Sequence, residues 1–301
     1  AKVKGKGTGR VLKSGENDLV FINFADHGAT GLIAFPNGEL YADDLIKTFK
    51  TMNEKKMYKQ LVFYLEACES GSMFDKILPD NIRVYASSAA NPYESSWGCY
   101  CGSEAIIDGQ DIGSCLGDLY SVVWMEDSDL QTPKESIETQ FGVILKKVDK
   151  SHPMEWGDKS FEKELITDFQ GNTDEISTAD ILLNKIKSLA QQIYGVSSIH
   201  DEEYQNYLDL AKRSVEDSRD IKLNYLYRKT AKSGLLADTQ ELQGEVYHRQ
   251  VVDTLFREVA MKLNLSTEDI KVQNIEFSCL KNSVNFYKQN CENFSEYTLK
   301  Y

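Results

Sequence analysis

Cys68 stands between Glu66 and Glu69 in the stretch LVFYLEACESGSM, residues 61–73. A thiolate is a strong nucleophile, so a cysteine at the end of an apolar run is a candidate for acyl transfer. Two flanking carboxylates disfavour the thiolate, so this cysteine is either inert or activated from elsewhere in the chain. His27, in FADHGATG at residues 24–31, is the candidate activator. An imidazole can take up a thiol proton and later deliver it to a leaving amine. Gly28 lets the backbone pass close beneath a substrate, and the N–H groups of Gly28 and Cys68 are candidates for an oxyanion hole. Gly71 permits a tight exit from the apolar run.

His27 and Cys68 are 41 positions apart, so the fold must bring them together. Leu19–Phe24 is an apolar run that ends just before His27, and Leu61–Leu65 is another that ends just before Cys68. Between them, residues 41–59 read as a helix with Leu45, Ile46, Phe49 and Met52 on one face. Asp43 and Asp44 lie in its first turn and Lys55, Lys56 and Lys59 near its end, as the helix dipole prefers. Ile82–Ala86 and Leu119–Trp124 are short, β-prone runs and are expected to be strands. Apolar strands separated by amphipathic helices predict an α/β fold, with a mostly parallel sheet covered on both faces. Ligands bind such sheets beyond the carboxyl ends of the strands. Two parallel neighbours joined by one helix place His27 and Cys68 at the same rim.

From about residue 175 helical patterns dominate. Ile181, Leu182, Ile186 and Leu189 mark one helix, Tyr204, Leu208, Ala211 and Val215 a second, and Val251, Val252, Leu255, Phe256 and Val259 a third. The expected organisation is an α/β part over residues 1–170, a linker over 171–200 centred on Gly171-Asn172-Thr173-Asp174, and an all-α part over 201–301.

The chain has 301 residues and a net charge of −13, of which residues 101–200 contribute most, with 8 basic against 18 acidic side chains. That balance argues against a nucleic-acid partner, which wants a basic face. No apolar stretch approaches the roughly 20 residues that span a bilayer. The six cysteines lack zinc-site spacing and the four histidines are scattered, so neither a metal nor a cofactor is expected. Asn264-Leu-Ser266 and Asn293-Phe-Ser295 are glycosylation sequons and fit a secretory route.

ADHGATG, YLEACESGSMF, VYASSAANPYESSWGCYC and CLGDLYSVVWMEDSD, in that order, resemble the legumain family of caspase-like cysteine peptidases (asparaginyl endopeptidase, vacuolar processing enzyme). The likeness runs from about residue 3 to 170 and continues more weakly through the helical half. It implies that Cys68 is the nucleophile and His27 the catalytic histidine, and that Asp26 matches an aspartate able to form a succinimide. Glu66, Ser95, Ser96 and Asp118 match the lining of a pocket for asparagine, or for protonated aspartate at low pH. A carboxamide both donates and accepts, so its pocket needs carboxylates and hydroxyls together. Read alone, Ser95, Ser96 and Asp118 are ordinary turn residues.

The resemblance also implies a Cys101–Cys115 disulfide, the alternative being two reduced thiols in a cytosolic chain. It implies hydrolysis through a thioester, with ligation where an amine arrives before water. Lysosome, vacuole or the extracellular space is the implied location. The implied partners are peptides with exposed asparagine, cystatin-type inhibitors and the chain's own C-terminal prodomain. Seven basic residues within 211–232 are the candidate contact of that prodomain with the acidic catalytic part, against the plainer reading of a solvated helix face. The activation cut is expected after Asn184 or Asn172.

The family has further strands, a catalytic asparagine and a basic pocket residue ahead of the stretch matching Lys13-Ser14-Gly15. It pairs the equivalents of Cys279 and Cys291 with two cysteines that would lie beyond Tyr301. The chain therefore reads as a fragment of a legumain-like proenzyme, with Leu19–Phe24 left as an apolar edge. Two other readings are a non-catalytic scaffold whose helical half binds partners, and the membrane-anchored transamidase branch of the same superfamily.

Overall fold

The computed structural model describes residues 11–130, 135–171, 214–262 and 275–290. Strand β1 (Leu19–Ala25) leads into a small meander of β2 (Gly28–Ala29), β3 (Leu32–Phe35) and β4 (Gly38–Tyr41). Helix α1 (Ala42–Glu54) carries the chain back to β5 (Gln60–Glu66). A 3-10 turn (Ser70–Met73) follows, then β6 (Val84–Ser88) and β7 (Trp97–Cys99). A hairpin of β8 (Ile106–Ile107) and β9 (Gln110–Asp111) precedes β10 (Gly117–Asp118). Helices α2 (Leu119–Leu130) and α3 (Ile137–Lys147), strand β11 (Met154–Gly157) and helix α4 (Ile166–Gln170) complete the first part. The C-terminal part contributes β12 (Val215–Asp217) and helices α5 (Ile221–Ser233), α6 (Leu236–Lys262) and α7 (Phe277–Asn290).

The central sheet has the order β1-β5-β6-β11, parallel across the first three strands and antiparallel at β11. The expected sheet, mostly parallel and flanked by helices, is what forms. All seven residues of β5 are buried, because strands flank it on both sides and helices cover both faces. Alternation along the strand divides it between two cores. Leu61, Phe63 and Leu65 join Leu45, Ile46 and Phe49 of α1. Val62 and Tyr64 face the opposite way, toward Tyr120, Val123 and Trp124 of α2 and Phe141 and Ile144 of α3. Strand β1 is an edge of this sheet among the described residues.

Leu119–Trp124 is the first half of a helix, not a strand. Its β-branched and aromatic residues look β-prone, but Tyr120, Ser121, Val122, Val123 and Trp124 are all buried, so no amphipathic period marks the helix. Tertiary burial overrides the local preference. The helix of residues 41–59 stops at Glu54. Lys56 takes a positive φ of 52°, which turns the chain toward β5, so Lys55, Lys56 and Lys59 lie beyond the last helical turn.

The C-terminal part is helical apart from β12, and it touches the first part at separate places. Strand β12 adds to the free side of β7, whose other side holds β10. Helix α7 seats Phe277 on the α1 core. Its Lys281 bridges Asp43 and Asp44 of the first α1 turn, at 2.7 and 2.9 Å.

Candidate active site

The parallel register of β1 and β5 matches Ala25 with Glu66, so Asp26-His27-Gly28 and Ala67-Cys68 leave the sheet side by side. The Asp26 N–H donates to the Glu66 carbonyl at 3.2 Å. The two exits are also laced further out, where the Gly31 N–H donates to Ser72 Oγ at 2.7 Å. A β-carbon on Gly28 would lie 2.7 Å from the Cys68 carbonyl oxygen, so only glycine allows this approach.

Cys68 is buried, with 2% of its surface exposed. The Ser96 N–H donates to its sulfur at 3.3 Å, and Ser96 Oγ lies 3.7 Å from it. That N–H places partial positive charge beside the sulfur, against the two glutamates that flank it in sequence. Glu69 adopts a left-handed conformation, φ 49°, and its N–H donates to the Glu94 carbonyl at 2.7 Å. The turn that presents Cys68 is thus held on one side by the His27 loop and on the other by residues 90–96.

The carboxyl groups gather at the same rim. Glu66 Oε2 accepts the Ser121 N–H near the start of α2, at 2.7 Å, while Oε1 is buried without a hydrogen-bond partner. Burial first, and then the charge of Asp118, hold Glu66 well above the usual carboxylate range. Burial also raises Asp118, the nearby His27 lowers it in part, and Asp26 raises it further. Asp118 reaches this position through β10, which pairs it with Gly98 of β7. Ser95 is half-buried next to Ser96.

The basic stretch of 211–232 does meet the first part, but through a strand where a helix was expected: Val215, expected to share a helix with Tyr204, Leu208 and Ala211, lies in β12. Strand β12 runs antiparallel to β7, pairing Val215, Glu216 and Asp217 with Cys99, Gly98 and Trp97. The next residue, Ser218, donates its N–H to the Ser96 carbonyl at 3.2 Å and sets its hydroxyl 3.3 Å from Ser96 Oγ. Arg219 then forms an ion pair with Glu69. A cleft of about 330 Å³ remains between the parts, with His27 and Gly113 on one wall and Ser218, Tyr225 and Leu226 on the other. Nothing local in Ser214-Val215-Glu216-Asp217-Ser218 marks a strand, since two of the five residues are acidic. Arg219 belongs to the basic stretch singled out above. Of the other basic residues there, Arg228 also crosses to the first part, at Asp111, while Lys222 and Lys229 pair within the C-terminal part.

A disulfide joins Cys101 to Cys115, and Cys99 keeps a buried thiol. Asn172, Asn184, Asn264, Asn293 and Cys291 lie outside the described residues. Among the described residues no helix is long and apolar enough to cross a membrane.

Comparison with known proteins bears on this arrangement. The model of the Peptidase C13 family matches residues 1–172. Legumain of Mus musculus is 36% identical over 310 residues, covering 99% of this chain and 64% of that protein. The vacuolar-processing enzyme delta-isozyme of Arabidopsis thaliana is 35% identical over 320 residues, covering 98% and 64%. Hemoglobinase of Schistosoma mansoni is 44% identical over 171 residues, covering 56% and 38%. The chain thus spans about 64% of the length of the first two of these relatives. With His and Cys loops laced at one sheet rim, inside the segment that the family model matches, the chain belongs to the Peptidase C13 family.

Proposed function

We propose that this chain is part of a legumain-like cysteine endopeptidase precursor that cleaves after asparagine and is held latent by its own C-terminal helices. Cys68 attacks the carbonyl carbon of the scissile bond, and the developing oxyanion is held by the N–H groups of Gly28 and Cys68. His27 delivers a proton to the departing amine, which leaves a thioester on Cys68. Water releases the acid, or a peptide amine gives a ligated product.

The observation that carries the reading is the pairing of a sulfur-directed Ser96 N–H with a His27 loop laced to the Cys68 turn. Specificity follows from the carboxyl groups. Burial and mutual repulsion disfavour full ionisation of Glu66 and Asp118 together. One protonated and one ionised carboxyl offer both a donor and an acceptor, which suits a carboxamide and rejects a carboxylate until acid protonates it. Ser95 and Ser96 are assigned to the lining of this pocket, and Asp26, whose charge acts on Asp118, to its edge. Latency is supported by β12, which adds to β7 as a bound peptide would. Residues 1–170 act as the catalytic part, 171–200 as the linker and 201–301 as the prodomain, in an acidic compartment such as a lysosome or vacuole. Asn184 or Asn172 between them remains the proposed cut.

A fluorogenic Ala-Ala-Asn peptide at about pH 5, where histidine is charged and carboxylates begin to protonate, tests the reading. Acid-incubated chain is expected to turn it over, and Cys68→Ala is expected to abolish turnover with the fold intact. Equal turnover by the variant would sink the nucleophile assignment. Cuts only after lysine or arginine would contradict self-processing after asparagine, and absence of Cys68-dependent turnover would favour a scaffold.

A further inference from the structure

His152 lies in the connection between α3 and β11, outside every motif considered so far. Its side chain is 80% exposed, yet its contacts lead to the nucleophile. Nδ1 lies 2.8 Å from Glu94 Oε2 and donates to it, since an ionised carboxylate only accepts. The His152 backbone N–H donates to Glu94 Oε1 at 2.7 Å, and the Asn91 N–H donates to the same oxygen at 2.8 Å. Next to it, Ser151 Oγ donates to the Ala89 carbonyl at 2.7 Å. Residues 151 and 152 therefore clasp the 89–94 loop from outside.

That loop acts on the Cys68 turn twice. The Glu94 carbonyl accepts the N–H of Glu69, the residue after the nucleophile, which stands at a positive φ that a non-glycine residue adopts only when held. Two residues beyond Glu94, the Ser96 N–H points at the Cys68 sulfur. The Gly71 N–H also donates to the Ala90 carbonyl at 3.0 Å. A shift of Glu94 would thus move the strained peptide and the sulfur's hydrogen-bond donor together.

We propose that His152 is a positioning residue of the peptidase, acting through Glu94 to fix the Cys68–Glu69 peptide and the Ser96 N–H. The proposal rests on Cys68 as nucleophile. His152 touches neither the sulfur nor the cleft, so its effect falls on kcat and on thiol reactivity, not on substrate affinity. An exposed ion pair is worth little, so the expected change is about two- to fivefold.

The test uses the full chain with His152→Ala, Glu94→Gln and the double variant. His152→Ala removes the ring but keeps the backbone donor. Two readouts are taken: kcat and KM on the Ala-Ala-Asn peptide, and iodoacetamide labelling of Cys68 relative to exposed Cys279 by peptide mass mapping. Each single variant is expected to lower kcat and slow Cys68 labelling by a similar factor, with KM unchanged. The double variant is expected to be no worse than Glu94→Gln, because both act through one contact. His152→Gln, which returns a side-chain N–H, is expected to recover part of the loss. A rise in KM alone, additive losses, or a Cys68 to Cys279 labelling ratio equal to that of the parent chain would overturn the proposal. Absence of peptide turnover by the parent chain would instead count against the peptidase reading, and the labelling ratio would still decide the role of His152.

Discussion

The carboxyl groups of Asp127 and Glu135 hydrogen-bond to each other where α2 gives way to α3. Burial first, then the charge of Asp127, push Glu135 up to about 8. A proton must sit between the two oxygens for the contact to be favourable. Because the folded-state value is raised, the stabilisation is complete below the ordinary carboxylate range and is lost as pH rises through about 8. Burial of Glu66 acts in the same sense. The fold is therefore expected to melt at lower temperature at pH 8 than at about pH 5. Glu135→Gln keeps a donor without the charge and is expected to flatten that dependence and raise the midpoint at pH 8. Each kcal/mol recovered moves the midpoint by about 2–4 °C in a domain of this size. Thermal unfolding of both proteins from pH 4.5 to 8 checks this, and parallel curves would contradict it.

Gly28 and Gly142 make opposite demands on a methyl group. At Gly28 it would meet backbone and side-chain carbon of the Cys68 exit, at 2.7 and 2.8 Å. At Gly142, on α3, it would meet nothing within 4 Å. Gly28→Ala is expected to destabilise by about 1–3 kcal/mol and to remove most peptidase activity, since the His27 and Cys68 loops must part. Gly142→Ala is expected to stabilise by roughly 0.5–1 kcal/mol through helix propensity, with activity unchanged. Denaturant titrations and peptide turnover separate the two. A tolerated Gly28→Ala would mean that the loops have more freedom than the packing implies.

Much of this was legible from apolar runs. Leu19–Phe24 and Leu61–Leu65 announced β1 and β5, and the single helix between them fixed their parallel adjacency, so the meeting of the His27 and Cys68 loops followed from topology. The short run Leu119–Trp124 was misread because a helix buried on every side has the same local signature as a buried strand. The Ser96 N–H at the sulfur, the Glu94 carbonyl at Glu69 and the added strand β12 left no trace in residue types. Backbone donors and acceptors are common to all residues, and three-residue strands have no period to detect.

Arg219 pairs with Glu69, the residue after Cys68, and is itself held by Arg249, which donates to the Arg219 carbonyl at 2.7 Å and to Asp220 at 2.6 Å. Glu69 is buried, so removing the guanidinium strands a carboxylate with little access to water. That leaves an unsatisfied group whose cost is on the order of 1–3 kcal/mol. The strain falls on the docked state, because undocking returns Glu69 to solvent. Arg219→Ala is therefore expected to raise peptide turnover at neutral pH by about tenfold, the factor that 1.4 kcal/mol supports. Turnover equal to that of the parent chain would place the latch elsewhere in the C-terminal part.

The Cys101–Cys115 disulfide closes the loop between β7 and β10, the two strands that support β12. Cys101 follows the end of β7 and Cys115 precedes β10, while Cys99 and Gly117 are directly paired. The bond therefore acts at the loop end of the pair, where it holds the long connection closed beyond the Cys99–Gly117 pair. Cys101 is also tied to the C-terminal part, its N–H donating to Ser214 Oγ at 2.6 Å, and the Ser214 N–H donates to Glu104 within the same loop at 2.7 Å. Replacing both cysteines by serine is expected to destabilise by up to about 3 kcal/mol in the loop-entropy model. The loss should be local. Amide exchange should accelerate in 97–99 and 215–217 while the β5 amides, in the middle of the central sheet, change little. If a peptide substrate pairs with β7 as β12 does, the same variant raises KM more than it lowers kcat once the C-terminal part is removed. Uniform acceleration of exchange across the sheet would mean that the disulfide supports the whole fold and not the strand that receives the peptide.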